Sequence, residues 1–200
     1  MIYPKEFENL MDDFQRFPGI GEKSSERFVY AVEQLDLSDV EKFAKDLLEF
    51  KNNITKCKIC GHYSTNDELC NVCSNESRDK STICVVEDSK SVFMFEKTGS
   101  YKGLYHVLGG LISPIDDINP DDLNIDFLVK NRLNGEVKEV IIAINPSIQG
   151  ETTSLYLQKL LQKKNIKVSR LSYGLPMGSD IEYMNPLTIM KAIEDRKDIS

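Results

Sequence analysis

The stretch CKICGHYSTNDELCNVC constrains this chain more than any other part of it. It places Cys57, Cys60, Cys70 and Cys73 in two C-x-x-C pairs separated by nine residues. Each pair can set two thiolates on one metal through a tight knuckle, and the link lets the second pair close the tetrahedron. Four sulfurs with no open position describe one structural zinc ion per chain, not a catalytic one. The ion then stands in for a hydrophobic core in a module too small to build one. His62, inside the loop, is expected at the surface or against the ligands. Cys84 lies apart in an apolar run and reads as a small buried hydrophobe.

Clustered cysteines hold metal in a reducing compartment more often than they form disulfides. The N-terminal MIYPKEFENL carries acids and has no apolar h-region, so it does not read as a signal peptide. No stretch approaches the roughly 18 apolar residues of a membrane span. The expectation is a cytoplasmic protein. Its formal charge of -7 argues against a positive coat. A local basic strip remains possible, because screening limits the reach of each charge to about 8 Å.

Residues 4–52 read as three helices. Phe7, Leu10, Met11, Phe14 and Phe17 follow the spacing of one helical face, and Phe28, Ala31, Val32 and Leu35 give a second. A third helix is expected from Ser38, with Glu41 completing a capping box. Its inward face is Val40, Phe43, Ala44, Leu47 and Leu48. Three short helices bury little, so this unit should lean on a neighbour or another copy of itself.

Between the first two helices lies FPGIGEKSSERF. Gly19 and Gly21 permit backbone angles that a side chain would forbid, and Ile20 anchors the turn. The next helix opens with free amides pointing outward, a natural phosphate site. Lys23 and Arg27, four residues apart, share a face near its start. These features describe a helix-hairpin-helix, a sequence-independent clamp on a nucleic-acid backbone. Glu22 and Glu26 weaken a single copy's grip, and several copies would compensate by avidity.

After Arg78 the pattern becomes α/β. Strands are expected over 82–86, 140–144 and 166–171, with helices over 89–97, 121–133 and 152–164. Gly99 and Gly135 are placed to end the first two helices. Alternation of this kind argues for a mainly parallel sheet covered on both faces. A last helix begins with Asn185 as cap and Pro186 at its first position. The segment 103–123 reads as a long loop, with Tyr105 and His106 offered to a partner or neighbouring subunit. Glu87 and Asp88 end the first strand, where functional groups of open α/β sheets collect, and a carboxylate there can hold Mg²⁺.

FPGIGEKSSERF, the four cysteines, ICVVED, TGSYKGLYHVLGGLISPIDDINPDDL, INPSIQGETTSLYL and RLSYGLPMGSDIEY occur in order over nearly the whole chain. In these stretches the chain resembles the RecR family of bacterial recombination mediators. The resemblance implies an α+β, multi-module chain. Its parts are a helix-hairpin-helix domain over 1–54, a four-cysteine zinc finger over 55–78, a Toprim α/β domain over 79–173 and a short C-terminal helical segment over 174–200. It implies tetrameric rings that encircle single- or double-stranded DNA. These rings work with RecO, and with RecF, to load the RecA recombinase on single-stranded gaps. Lys23 and Arg27 correspond to residues implicated in DNA binding. The family commonly has proline where Glu22 stands and alanine where Ser25 stands.

Toprim enzymes use a glutamate after the first strand and an Asp-x-Asp after a later one. Glu87 matches the first, but Asn145-Pro146-Ser147 replaces the second, and Gln149 stands where the family's glutamate is expected, with Glu151 remaining. So few carboxylates make a Mg²⁺-dependent strand-cutting site a poor reading. Glu87 and Glu151 then form a weak metal or partner site on a scaffold with no catalytic residue. The competing readings are a Mg²⁺-dependent Toprim nuclease or primase-like enzyme, and a zinc-finger regulator that reads sequence. Asn66, Asp67 and Glu68 leave the cysteine loop too little positive charge for the latter.

Overall fold

Helix-forming periodicity organises the first 54 residues, and the rest forms a separate unit over 55–200. The computed structural model describes residues 2–66, 68–172, 174–176, 178–196 and 198. Asp67 of the cysteine loop and the expected domain limit at 173 lie outside the described residues.

In the first unit, α1 (Lys5–Gln15), α2 (Glu22–Glu33) and α3 (Leu37–Asn53) follow one another through short turns. The α1–α2 seam is aromatic. Phe14 and Phe28 lie 5.4 Å apart between ring centroids, Phe7 meets Tyr30 edge-on at 5.1 Å, and Met11 and Val29 are buried. α3 departs from expectation twice. It starts one residue earlier, with Asp36 at the N-cap position and no Ser38 box. Its apolar face is not covered: Phe43, Leu47, Leu48 and Phe50 are all about half exposed or more, and no residue of the helix is buried. One seam is all that three short helices can close, so the third keeps its apolar stripe toward solvent.

The second unit begins with a two-stranded ribbon, β1 (Ile54–Lys56) and β2 (Tyr63–Thr65), around the first cysteine knuckle. A four-stranded parallel sheet follows, in the order β4-β3-β5-β6. Its strands are β3 (Asp79–Val86), β4 (Gly103–Val107), β5 (Glu139–Ala143) and β6 (Lys167–Arg170). α4 (Ser89–Thr98) and α6 (Ile148–Gln162) form two of the crossovers, and α7 (Pro186–Glu194) ends the chain. As expected, Gly99 closes α4 in the left-handed region at φ 64°. Asn185 caps α7, accepting from the Thr188 amide at 2.8 Å.

Side chains along a strand alternate between faces, and β3 distributes its residues to two cores. Ile83 and Val85 join Val140, Ile142, Leu128, Leu157 and Leu161 on one face. Cys84 and Val86 join Val92 of α4, Tyr105, Val107 and the cysteines Cys57, Cys60 and Cys70 on the other. The cysteine loop therefore takes the place of a second covering helix, rather than standing as a module with no core of its own.

Segment 103–123 is not a loop throughout. Its first five residues are the edge strand β4, in which Tyr105 and His106 are 1% and 0% exposed. They are core residues and cannot be offered to a partner from this position. The strand escapes sequence reading because a buried histidine and the following Gly109-Gly110 look like loop. The expected helix over 121–133 is broken into a 3-10 turn at Pro120–Asp122, one turn of α5 (Ile125–Phe127) and a π-helical turn at Leu128–Arg132. It ends at Arg132, three residues before Gly135. α6 starts earlier than expected, because Ser147 caps it by accepting from the Gly150 amide at 3.0 Å.

Candidate metal centre and nucleic-acid interface

The four cysteines come from two knuckles, and their sulfurs all lie within 4.8 Å of one another. A tetrahedron with metal–sulfur bonds of about 2.3 Å has edges of about 3.8 Å, so the sulfurs fit such an ion. Cys57, Cys60 and Cys70 are buried and Cys73 is partly so. Backbone amides point at the sulfurs: His62 N–H donates to Cys60 Sγ at 3.4 Å and Cys73 N–H to Cys70 Sγ at 3.5 Å. Donors of this kind favour thiolate over thiol.

The sulfurs also compete with one another. Cys60, hydrogen-bonded to Cys70 and then to Cys73, is pushed up, whereas Cys70 is held down by hydrogen bonds from Cys60 and Cys73. A divalent cation removes that conflict by taking all four as thiolates. Among the described residues this is the one cluster of three or more potential metal ligands. His62 is 7% exposed and packs edge-on against Phe93 at 4.7 Å, so it lies against the ligands and not at the surface.

The loop is anchored to the sheet at both ends. Val107 N–H donates to the Cys60 carbonyl at 2.7 Å. Gly61, at φ 75°, sits so close that an added Cβ would stand 3.1 Å from the Val107 carbonyl. Beyond the second knuckle, the Arg78 guanidinium pairs with Glu96 of α4, and Tyr105 O–H donates to the same carboxylate at 2.8 Å. Burial opposes ionisation of Glu96, yet the hydrogen bonds from Arg78 and Tyr105 hold it below its ordinary value.

In the first unit, Gly19 adopts φ 83°, the left-handed conformation a turn of this kind requires. Gly21 does not: its φ of -95° is open to any residue, and nothing lies within 4 Å of an added Cβ. What Gly21 contributes is the N-cap of α2 without a side chain. The Ser24 and Ser25 amides donate back to its carbonyl at 3.1 and 2.9 Å, so the amides before them open outward. Lys23 and Arg27 are both exposed on the turn that follows. Ser25 is fully buried, and its hydroxyl donates to the Glu22 carbonyl at 2.8 Å. Glu26 accepts from Tyr3 O–H at 2.8 Å, whereas Glu22 stands exposed.

At the carboxyl ends of β3 and β5, where the strand order reverses, lies a groove of about 1280 Å³. Its wall includes Asp88, Asn145, Ser147, Glu151 and Lys191, but not Glu87. Burial, with Asp88 alongside, pushes Glu87 up. Glu151 faces Arg170 at 3.5 Å. Asp88 is occupied as the cap of α4, accepting from the amide and hydroxyl of Ser91 at 3.0 Å each. Among the described residues, Glu87 and Glu151 are not gathered with a third acid. The roles of Asp88 as cap and Arg170 as partner escape the sequence reading, although Asp88 three residues before Ser91 carries an N-cap signal.

A helix-hairpin-helix unit and a parallel sheet with a docked four-cysteine loop define a class: helix-hairpin-helix and Toprim proteins with a metal-binding cysteine cluster. Residues 7–51 match the family described as RecR, helix-hairpin-helix, residues 81–172 the Toprim domain, and residues 174–197 RecR, C-terminal. The chain is 45% identical, over 199 residues and 100% of both chains, to recombination protein RecR of Staphylococcus aureus strains Newman, USA300 and COL. It belongs to the RecR family of recombination proteins, and that membership carries a role in recombination and repair. Among the described residues, no helix is long and apolar enough to cross a membrane.

Proposed function

We propose that the chain is a non-enzymatic DNA clamp and recombination mediator acting in the cytoplasm. The observation that carries this reading is the turn before α2. Left-handed Gly19, side-chain-free Gly21 and exposed Lys23 and Arg27 present amides and two cations to one side. That arrangement holds a phosphate backbone without reading bases. Glu26 is drawn off by Tyr3, which leaves Glu22 as the acid opposing the contact.

A protein of charge -7 holds a polyanion weakly through one such turn. Several copies in a ring, tetrameric as in the family, would line the lumen with these residues and add avidity. The apolar stripe of α3 supports self-association, since exposed patches of that kind mark interfaces. RecO is the partner we assign, with RecF carried only by the family resemblance, and loading of RecA on single-stranded gaps is the outcome. An acidic exterior suits a basic partner.

The four cysteines hold one zinc ion. The modules run over 1–54, 55–78, 79–173 and 174–200. The Toprim sheet serves as a scaffold: Asn145 stands where a metal-binding acid would be, and Glu151 is committed to Arg170. Mg²⁺ is not assigned a role.

The test is a fluorescence-anisotropy titration of labelled duplex and single-stranded DNA at two salt concentrations, comparing wild type with Lys23→Ala/Arg27→Ala. Loss of binding in the double variant and steep weakening of wild type with salt support the clamp. Equal binding by the two proteins would move the contact elsewhere. Mg²⁺-dependent cleavage of the probe would revive the enzyme reading.

A further inference from the structure

The face of the second unit that carries the cysteine loop exposes two aromatic rings side by side. Tyr63 of β2 and Phe93 of α4 are 41% and 48% exposed, with ring centroids 6.3 Å apart and planes within 26°. They are braced from beneath, because Phe93 packs on buried His62 beside the metal-binding loop.

Three lysines flank the rings, against one described acid of the same loop, exposed Glu68, whose amide donates to the Thr65 carbonyl of β2 at 3.1 Å. Lys56 Nζ lies over one face of the Tyr63 ring, 4.1 Å from its centroid, which leaves the other face for a base. Lys90 and Lys97 lie three residues before and four after Phe93, on the same exposed stripe of α4. They are about 10 Å apart along the helix axis. Among the described residues, none of these three lysines is in an ion pair. Of the acids of α4 and its cap, Glu96 is engaged by Arg78 and Tyr105, and Asp88 accepts from Ser91 while also lying within electrostatic reach of Lys90.

We propose that Tyr63 and Phe93, flanked by Lys56, Lys90 and Lys97, form a stacking platform for unpaired bases of a single nucleic-acid strand. Aromatic faces accept any base, and lysines beside them follow the backbone; this combination binds single strands without reading sequence. A duplex keeps its base faces covered and gains only the charges. The platform shares with the proposed function the premise of nucleic-acid binding, but it lies in the other unit and depends on none of Gly19, Gly21, Lys23 or Arg27. An acidic peptide is the other polyanion such a surface could take. Near-parallel rings suit flat bases better than flexible side chains.

The test uses the full-length, metal-loaded chain. Because the protein contains no tryptophan, Phe93→Trp installs a unique fluorophore on the platform. Oligo(dT) is expected to quench it, and an abasic oligomer of the same length and charge to quench it far less. Tyr63→Ala/Phe93→Leu should weaken oligo(dT) binding about tenfold while leaving duplex binding unchanged. Lys90→Gln/Lys97→Gln, whose side chains are exposed, should weaken it without touching the fold and lower its salt dependence. Unchanged fluorescence while anisotropy reports bound oligo(dT) overturns the platform. So does wild-type affinity in both double variants, or quenching by an acidic peptide but not by oligo(dT). Lys23→Ala/Arg27→Ala in the Phe93→Trp background separates the two readings. Quenching that survives this change supports the platform whatever becomes of the clamp. Its absence when Lys23→Ala/Arg27→Ala also abolishes binding leaves the clamp and removes the platform.

Discussion

The backbone amide of Val107 donates to the carbonyl of Cys60 across 2.7 Å, which joins a metal-binding knuckle to the edge strand of the main sheet. Edge strands carry unpaired backbone groups and need covering. Here a loop provides the cover, and it carries four sulfurs placed to share one ion.

Removing the metal should therefore open the sheet edge as well as the loop. Chelation, or Cys60→Ser, is expected to destabilise the second unit by at least about 2 kcal/mol. Hydrogen exchange should rise first at residues 57–73 and 103–108, while the helices of the first unit keep their protection. Unchanged exchange over 103–108 in the metal-free protein would show that the strand does not need the loop.

The two glycines of the hairpin should separate stability from binding. Gly19→Ala forces a side chain into φ 83° and should cost about 1 kcal/mol. Gly21→Ala meets no strain and open space, so it should cost a few tenths to half of that, through cap preference alone. It should nonetheless weaken DNA binding, since the new methyl stands where a phosphate would approach the amides. Denaturant midpoints and anisotropy titrations on the same samples check both halves.

These contrasts show how much of the molecule is legible in sequence. Ligand spacing is local, so the four-cysteine centre can be read directly from the two C-x-x-C pairs. The cap at Asn185 and the left-handed stop at Gly99 are likewise local signals. β4 is not local. Its pairing with β3 is tertiary, and its inward histidine gives the pattern of a polar loop. Gly21 reads as a twin of Gly19 because a glycine's letter does not reveal its φ. The stripe on α3 is visible as amphipathicity, but its exposure is not, because a periodic pattern does not say which helix face finds a partner. The platform escapes sequence reading because Tyr63 and Phe93 are thirty residues apart and meet only when the knuckle folds against α4.

Glu22 sits exposed in the first turn of α2, where it favours the helix dipole but opposes a phosphate. Glu22→Gln should raise affinity for duplex DNA about threefold at low salt, with the gain shrinking as salt rises. Helix stability should fall slightly in the same variant. Glu26→Gln should gain less, because that carboxylate is already held by Tyr3. Equal gains from the two substitutions would argue against the Tyr3 contact as what distinguishes them.

His106 should make the second unit acid-sensitive. It is fully buried, its Nε2 donates to the Asn124 carbonyl at 2.6 Å, and among the described residues its Nδ1 has no partner. Burial lowers its pKa to about 4, with the Asn124 carbonyl opposing and Arg132 adding to the shift. In the unfolded chain the imidazole titrates near its ordinary value of about 6.5. On acidification the unfolded state takes up the proton first. Stability is therefore complete above about pH 6.5 and falls toward pH 4, by up to roughly 1.4 kcal/mol per pH unit. His106→Leu loses a hydrogen bond and should be about 1 kcal/mol less stable at pH 7.5, but its decline toward pH 5 should be shallower than that of wild type. Urea midpoints of the two proteins at pH 7.5 and 5, taken in parallel, cancel the contribution of the thiolates. Converging midpoints support the buried neutral histidine, and parallel ones would mean that another group carries the acid sensitivity.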